Sequence, residues 1–379
     1  MTEKLYYIDA YIKSFTAKVL SCEPYEDKFD IILDKTAFFP EGGGQSSDIG
    51  LIGESKVIHA FERDGVVHHI GETEVLGEVI CSVDFEKRFD KMQNHTAEHI
   101  LCGIIHKLYG LDNVGFHLSC DEVVFDVSEP LSKEQLELAE TMANEVVFAN
   151  ERVEAYFPSE EELSSLDYRS KLELTENVRL VKIGEADICA CCAPHVKMTG
   201  EVGMIKILEV MRHRGGMRIW IAAGRRALLD YKMNKDNISS ASAALSVPKN
   251  EVASALSKYM READAVRSEL KSVKRSLAEE KAKAVSETKG NAVVYLPEME
   301  MDELRAFVNS ALTKVSGMLV ALIGKEGDYK YIIASENVNI AERIKDINAN
   351  LCGRGGGKPN AVQGSFATEL SKIKEYFGV

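Results

Sequence analysis

Asn94-His95-Thr96-Ala97-Glu98-His99 stands inside a segment, Phe85 to about Tyr109, whose apolar residues recur at the spacing of a helix. Residues four apart on a helix lie one turn apart on the same face, so His95 and His99 can aim two imidazole nitrogens at one point. Further along, Cys191-Cys192-Ala193-Pro194-His195 follows a short apolar run and sets Cys191 and His195 four residues apart. A tight loop carrying a thiolate and a third imidazole would complete a Cys-His₃ tetrahedron, a donor set that suits zinc. Each half alone is a weak signal, because most such pairs are ordinary surface or core histidines and a buried free cysteine. The surroundings decide.

Before the helix, residues 5–83 read as strands. Phe29, Ile31 and Leu33 alternate with Asp30 and Asp34, and Val57–Phe61 and Val66–Ile70 flank a turn at Arg63-Asp64-Gly65. Between strands lies Phe38-Phe39-Pro40-Glu41-Gly42-Gly43-Gly44-Gln45-Ser46-Ser47-Asp48. Consecutive glycines let a backbone approach another surface closely. The flanking aromatics and the Gln45 and Asp48 side chains fit a docked loop; a floppy loop is the bland alternative.

After the helix come a strand-like piece (Val114–Val127), a helix from about Lys133 to Ala149, a strand over Val178–Ile183, and a hairpin of Met204–Met211 and Met217–Ala223 with Gly215-Gly216 in its turn. These are helices against a mainly antiparallel sheet, an α+β core. From Pro248, Val252, Leu256, Tyr259, Ala263, Val266, Leu270, Val273 and Leu277 keep the alternating four-three spacing of a coiled-coil seam. That seam would pair with the helix of about Arg225–Leu245 or with a second subunit. Residues 290–379 read as a small α/β unit, with a glycine-rich loop, Cys352-Gly353-Arg354-Gly355-Gly356-Gly357-Lys358-Pro359, between its last two helices. Pro359 stands where a P-loop needs Ser or Thr, which argues against ATP there. Arg354, Lys358 and the backbone amides could still hold phosphate.

Composition bounds the rest. A chain of 379 residues should hold two to four domains, and no stretch approaches the ~20 consecutive apolar residues of a membrane span. The N-terminus lacks a charged-then-apolar leader, and eight cysteines with Cys189, Cys191 and Cys192 crowded together look like ligands or reactive thiols in a reducing cytosol. The formal net charge of −14 argues by itself against a nucleic-acid partner. Residues 204–226 run the other way: Lys206, Arg212, Arg214, Arg218, Arg225 and Arg226 face the single acid Glu209, with Trp220 among them. Such a stretch could hold phosphates while overall acidity repels non-specific nucleic acid; a solvated hairpin balanced by distant acids is the competing account.

Together the His95/His99 and Cys191/His195 motifs, the Gly42-Gly43-Gly44-Gln45-x-x-Asp48 loop and Val196-Lys197-x-Thr199-Gly200-Glu201-Val202-Gly203 resemble the alanyl-tRNA editing proteins of the AlaX type. The C-terminal glycine-rich segment resembles the last domain of alanyl-tRNA synthetase. The resemblance covers nearly the whole chain in order and implies the long form of the family. It implies a glycine-loop, β-barrel-like domain at 1–84, a zinc-containing α+β editing core at 85–230, a helical stalk at 231–289 and a small α/β domain at 290–379. It also implies hydrolysis in trans, because the chain begins directly with the glycine-loop domain.

The implied substrate is alanine tRNA mischarged with serine or glycine, and the implied cofactor is one zinc at His95, His99, Cys191 and His195. Cys191 is taken for its spacing to His195, with Cys192 as the fallback. The family's second motif usually reads Cys-x-Gly-Thr-His, whereas Ala193-Pro194 precedes His195 here, so a threonine hydroxyl is missing. Gln45 and Thr96 are the pocket candidates, and Arg218, Arg212, Arg214, Arg354 and Lys358 the tRNA contacts. A cytoplasmic protein is expected, dimeric through the stalk or C-terminal domain. Two rivals are a zinc metallopeptidase, since His95-Thr96-Ala97-Glu98-His99 fits HxxEH, and a tRNA-binding module without catalysis.

Overall fold

The computed structural model describes residues 1–170 and 178–379 as a mixed α+β chain of two compact units, Met1–Ile238 and Ser239–Val379. The division falls inside the helix Gly224–Leu245.

The first unit opens with a closed barrel whose strands run, in neighbour order, Ser14–Tyr25, Lys28–Leu33, Val66–Gly71, Ser55–Arg63, Gly50–Ile52 and Glu78–Val83. Alternation drives it: Ile31, Leu33, Val57, Cys81 and Val83 point into one core. The Arg63–Val66 hairpin closes on Asp64 (φ 51°) and Gly65 (φ 75°), the left-handed pair that matches strand twist.

The helix Phe85–Tyr109 follows. Asp84 caps it by accepting from the Lys87 amide, and Gly110 ends it in the left-handed region (φ 68°). Met92 and every residue from Asn94 to Ile105 are buried, so this helix is enclosed on all sides rather than laid on a surface. Around it pack a sheet ordered Ile205–His213, Gly216–Ala223, Val123–Val127, Asn113–Leu118, and a smaller one of Val153–Tyr156, Leu180–Ile183 and Asp187–Ala190. The helix Lys133–Ala149 joins the same core through Leu136, Ala139, Ala143 and Val147, its start fixed by a Ser132–Gln135 capping box. Gly103 lets the turn before Asp187 come close: a Cβ there would strike the Ala186 carbonyl. That approach carries Asp187 to His99.

In the second unit the helix Val252–Lys283 leads to a sheet ordered Ala292–Tyr295, Leu319–Lys325, Asp328–Ala334, Ala361–Phe366, Gly353–Lys358. Met301–Ala311 packs on one face with Ala278 and Ala282 of the long helix, and Ile340–Asn350 and Leu370–Phe377 pack on the other. The seam expected on the long helix is largely exposed, from Leu256 (48%) to Leu277 (54%). Among the described residues no helix is long and apolar enough to cross a membrane.

One expectation is corrected. The glycine run read as a loop is an edge strand, Gly353–Lys358, paired antiparallel with Ala361–Phe366 across a turn at Pro359-Asn360. Close backbone packing requires the glycines: a Cβ on Gly355 would strike the Gln363 carbonyl and the Tyr331 hydroxyl, and one on Gly364 the Arg354 carbonyl. The amides thus serve the sheet as well as facing outward.

Candidate metal centre

His95 and His99 leave the buried helix on one face, with ring centroids 5.2 Å apart, and both lie 4.8 Å from the His195 ring. Each imidazole is engaged at Nδ1. His95 Nδ1 is 2.8 Å from Gln45 Oε1, His99 Nδ1 is 3.0 Å from Asp187 Oδ2, and His195 Nδ1 is 3.0 Å from Thr96 Oγ1. An N–H on Nδ1 satisfies all three acceptors and leaves the Nε2 lone pairs for a metal. Cys191 Sγ lies 3.6 Å from His95 Nε2 and 3.4 Å from His195 Nε2. Ligand atoms of His95, His99, Cys191 and His195 all fall within 4.8 Å of one another. Zinc–nitrogen and zinc–sulfur bonds of about 2.0 and 2.3 Å in a tetrahedron put sulfur and nitrogen roughly 3.5 Å apart, so the spacing fits that ion.

Electrostatics fit as well. Burial pushes the Cys191 thiol well above its ordinary range, with Cys192 adding to it, and burial beside His99 and His95 holds His195 neutral. Neutral imidazoles are competent ligands, and a buried thiol becomes a thiolate when a cation sits beside it. The Ala193 amide already points at Cys191 Sγ, 3.4 Å away.

Supporting residues hold this centre, and several carry no signal in the sequence. Asp187 is gripped by Arg169, Nε to Oδ1 at 2.7 Å and Nη2 to Oδ2 at 2.8 Å. Burial alone would raise its pKa, but the hydrogen bonds from His99 and Arg169 win and hold it below the usual carboxylate range. Arg179 pins the cysteine loop, donating from Nη1 to the carbonyls of Cys191 (2.8 Å) and Ala193 (3.0 Å). Arg88, 1% exposed, ties the glycine loop to the helix by donating to Asp48 and to the carbonyls of Ala10 and Ala37.

That loop is docked. The amide of Leu118 donates to the Gly44 carbonyl and the amide of Ser46 to the Leu118 carbonyl. Gly44 has φ +83°, and a Cβ on it would lie 2.5 Å from the Phe116 carbonyl oxygen. Gln45 is fully buried; its Oε1 meets His95, while its Nε2 has no hydrogen-bond partner among the described residues. Thr96 Oγ1 also accepts from the Val196 amide at 3.4 Å. Both pocket candidates therefore touch imidazoles of the candidate metal cluster directly.

Neighbouring thiols and acids sort by geometry. Cys192 packs with Tyr6, Phe39 and Ala193 under the glycine loop. Cys189 groups with His99 and Asp187, but Asp187 is already committed to Arg169 and to His99 Nδ1. Glu98, the acid of the HxxEH match, is 2% exposed; its Oε1 accepts from Asn113 and meets Cys102 Sγ at 3.3 Å, while Oε2 lies 3.9 Å from His99 Nε2.

The arginines expected at tRNA differ in fate. Arg218 stands opposite Asp126 in the sheet and grips it with two hydrogen bonds of 2.7 and 2.8 Å. Arg225 pairs with Glu86 and Arg226 with Asp90. Arg212 and Arg214 are exposed at the hairpin end, and Arg354 and Lys358 are exposed on the edge strand.

Comparison with known proteins gives the kinship of the chain. Residues 178–219 match the family described as threonyl and alanyl tRNA synthetase second additional domain, and residues 288–376 match the DHHA1 domain. The alanyl-tRNA editing protein AlaX-L of Pyrococcus horikoshii is 30% identical over 98% of this chain and 96% of its own length. Alanine–tRNA ligases of Pyrococcus abyssi (31% identical over 99% of this chain) and Halobacterium salinarum (34% over 86%) are matched over 43% and 38% of their length, so the chain spans less than half of either. A crystal structure of the C-Ala domain of Aquifex aeolicus alanyl-tRNA synthetase, 21% identical, covers 23% of this chain and 84% of its own, with a TM-score of 0.20. With a relative alike over both full lengths, the chain belongs to the family of AlaX-type alanyl-tRNA editing proteins.

Proposed function

We propose that this chain is a zinc-dependent esterase that removes serine, and also glycine, from mischarged alanine tRNA. One observation carries the reading: four soft or borderline donors converge within 4.8 Å, and each imidazole among them is already oriented through Nδ1. Kinship with a protein named for alanyl-tRNA editing supplies the substrate class. Bound at His95, His99, Cys191 and His195, zinc would find its tetrahedral shell filled by the protein, so the chemistry it would supply is positioning, by ordering the pocket around substrate and water.

The chain's own groups do the rest. An aminoacyl ester is already activated, so hydrolysis chiefly needs orientation of a water and donors where the oxyanion forms. Gln45 Nε2 is a buried donor without a partner, held in place by the other end of its amide. In our reading it meets the substrate, either at the ester carbonyl or at the serine hydroxyl. A hydrophobic pocket cannot strongly exclude an added hydroxyl, which is why a synthetase mischarges serine. A second site that demands the hydroxyl spares alanine, because alanine leaves a buried polar group unpaired. Arg212, Arg214, Arg354 and Lys358 are the proposed phosphate contacts. A charged-tRNA substrate implies a cytoplasmic protein.

The test is deacylation of Ser-, Gly- and Ala-charged alanine tRNA by the whole chain, before and after metal removal. Rapid loss of serine, slow loss of alanine and inactivation by chelator are expected. Equal rates on all three esters, or full activity without metal, would sink the reading.

A further inference from the structure

The loop that carries Gln45 and the helix that carries His95 also line a cavity of about 670 Å³, outside the cluster of metal ligands. Ser46, Ser47, Ile58, His59, Lys91 and Arg226 border it, and so do four acids, Glu41, Asp84, Glu86 and Asp90. Its size is that of a small-molecule or nucleotide site. Lys91 stands one turn before His95 and is anchored to the carbonyls of Ser46 (3.2 Å) and Ser47 (2.5 Å). Arg226 holds Asp90 and the Ser119 carbonyl through Nε and Nη2, whereas its Nη1 is buried without a hydrogen-bond partner among the described residues.

The cavity continues onto the outside of the barrel. Ile58 and His59 also border a second depression of about 450 Å³, with Tyr25 and Phe61, the cations Lys28 and Arg63 and the acids Glu26 and Asp27. Here the rings form a ladder: His59 stacks on Phe61 at 5.9 Å, Phe61 on His68 at 4.8 Å with planes 2° apart, and the Arg63 guanidinium lies 5.7 Å from the Phe61 ring centre. Phe61 and His68 face each other across two strands, so that pair has a local explanation as a cross-strand contact. It does not explain why His59 (41% exposed side chain), Tyr25 (45%) and Ile58 (38%) remain open beside it. A half-exposed aromatic ladder with an adjoining guanidinium is how single-stranded nucleic acid is held, since every base has a face to stack.

We infer that the unpaired 3′ nucleotides of the tRNA, those preceding the esterified ribose, lie along this track, with bases against the His59–Phe61 ladder beside Arg63 and the strand passing Ser46 and Ser47. The inference rests on the proposed function for its substrate and adds where the single strand runs. It gives the glycine loop two duties: Gln45 beside the metal ligands, and Ser46 and Ser47 beside the strand.

The test is binding of an uncharged stem–loop RNA bearing a short unpaired 3′ tail, against the same stem–loop without the tail, by fluorescence anisotropy on the zinc-loaded full chain. Phe61→Ala should weaken binding of the tailed RNA roughly tenfold, the loss of one stacked base. Phe61→Trp should keep it, and Ile80→Ala, on an exposed position away from the track, should leave it unchanged. The tail-less RNA should bind wild type and Phe61→Ala alike. Equal binding of the tailed RNA to wild type and Phe61→Ala would overturn the inference. So would an equal loss on both RNAs, which would make the surface a duplex contact. Because these RNAs carry no ester, the outcome is read whatever the chain does to charged tRNA. A wild type that binds the tail yet leaves Ser-charged tRNA intact would defeat the proposed function and leave the track standing.

Discussion

Asp187 Oδ2 lies 3.0 Å from His99 Nδ1, and the same carboxylate is clamped by Arg169, so one acid links an imidazole of the candidate metal cluster to a half-buried guanidinium. This relay fixes which nitrogen of His99 is free for a metal. Replacing such a partner usually costs tenfold to a hundredfold in metal affinity. Asp187→Asn should therefore weaken zinc binding by at least about tenfold in competition with a chromogenic chelator. Unchanged affinity would show that packing alone orients the ring.

Gly44→Ala should destabilise the chain, since φ +83° and a Phe116 carbonyl oxygen 2.5 Å from the new methyl both oppose it. A residue strained in this way costs about 1–3 kcal/mol. The loop would shift and Gln45 would lose its grip on His95, so thermal stability and deacylation should fall together. A variant as stable and active as wild type would mean the loop is not docked as described.

Arg218 is expected to act through the fold. Its hydrogen bonds are the main reason the Asp126 pKa is lowered, so the pair adds stability that is present above the unfolded pKa of about 3.9 and is lost as pH falls through the depressed folded value. The gap in melting temperature between wild type and Arg218→Gln should be full at neutral pH and close in acid. The salt dependence of tRNA binding should instead flatten in Arg212→Ala and Arg214→Ala, by somewhat less than one unit of logarithmic slope for each phosphate that is no longer neutralised. A constant melting gap across pH, with the salt slope changed only in Arg218→Gln, would reverse the assignment.

Leu256, Val266, Leu270, Val273 and Leu277 are each close to half exposed or more along the long helix. A continuous apolar stripe of this kind is uncommon on a solitary surface helix. We expect two copies to meet there, so the whole chain should sediment as a dimer and a Leu256→Lys, Leu270→Lys double variant as a monomer. A monomeric wild type at micromolar concentration would remove the helix from any self-contact.

How much could be read beforehand depended on whether a residue's role is local. The helices Phe85–Tyr109 and Lys133–Ala149 were legible in the sequence, and the structure adds the caps at their ends, Asp84, Gly110 and the Ser132–Gln135 box. The grouping of His95 with His99, and of Cys191 with His195, follows from spacing on one helix and one loop. Asp187 and Arg169 did not show, because what they orient lies far along the chain and nothing in their own surroundings marks them. The Arg218 partner, Asp126, did not show either, because only strand register sets the two opposite each other. The strand Gly353–Lys358 was invisible as a strand because glycines leave no side chains to alternate, and its pairing is made by backbone alone.

The central claim is that one cysteine and three histidines bind a single zinc, and the X-ray absorption spectrum of the zinc-loaded chain tests it most directly. The account predicts one sulfur at about 2.3 Å and three nitrogens at about 2.0 Å, with the sulfur shell lost in Cys191→Ala and kept in Cys192→Ala. Two sulfurs, none, or a sulfur shell that survives Cys191→Ala would contradict it.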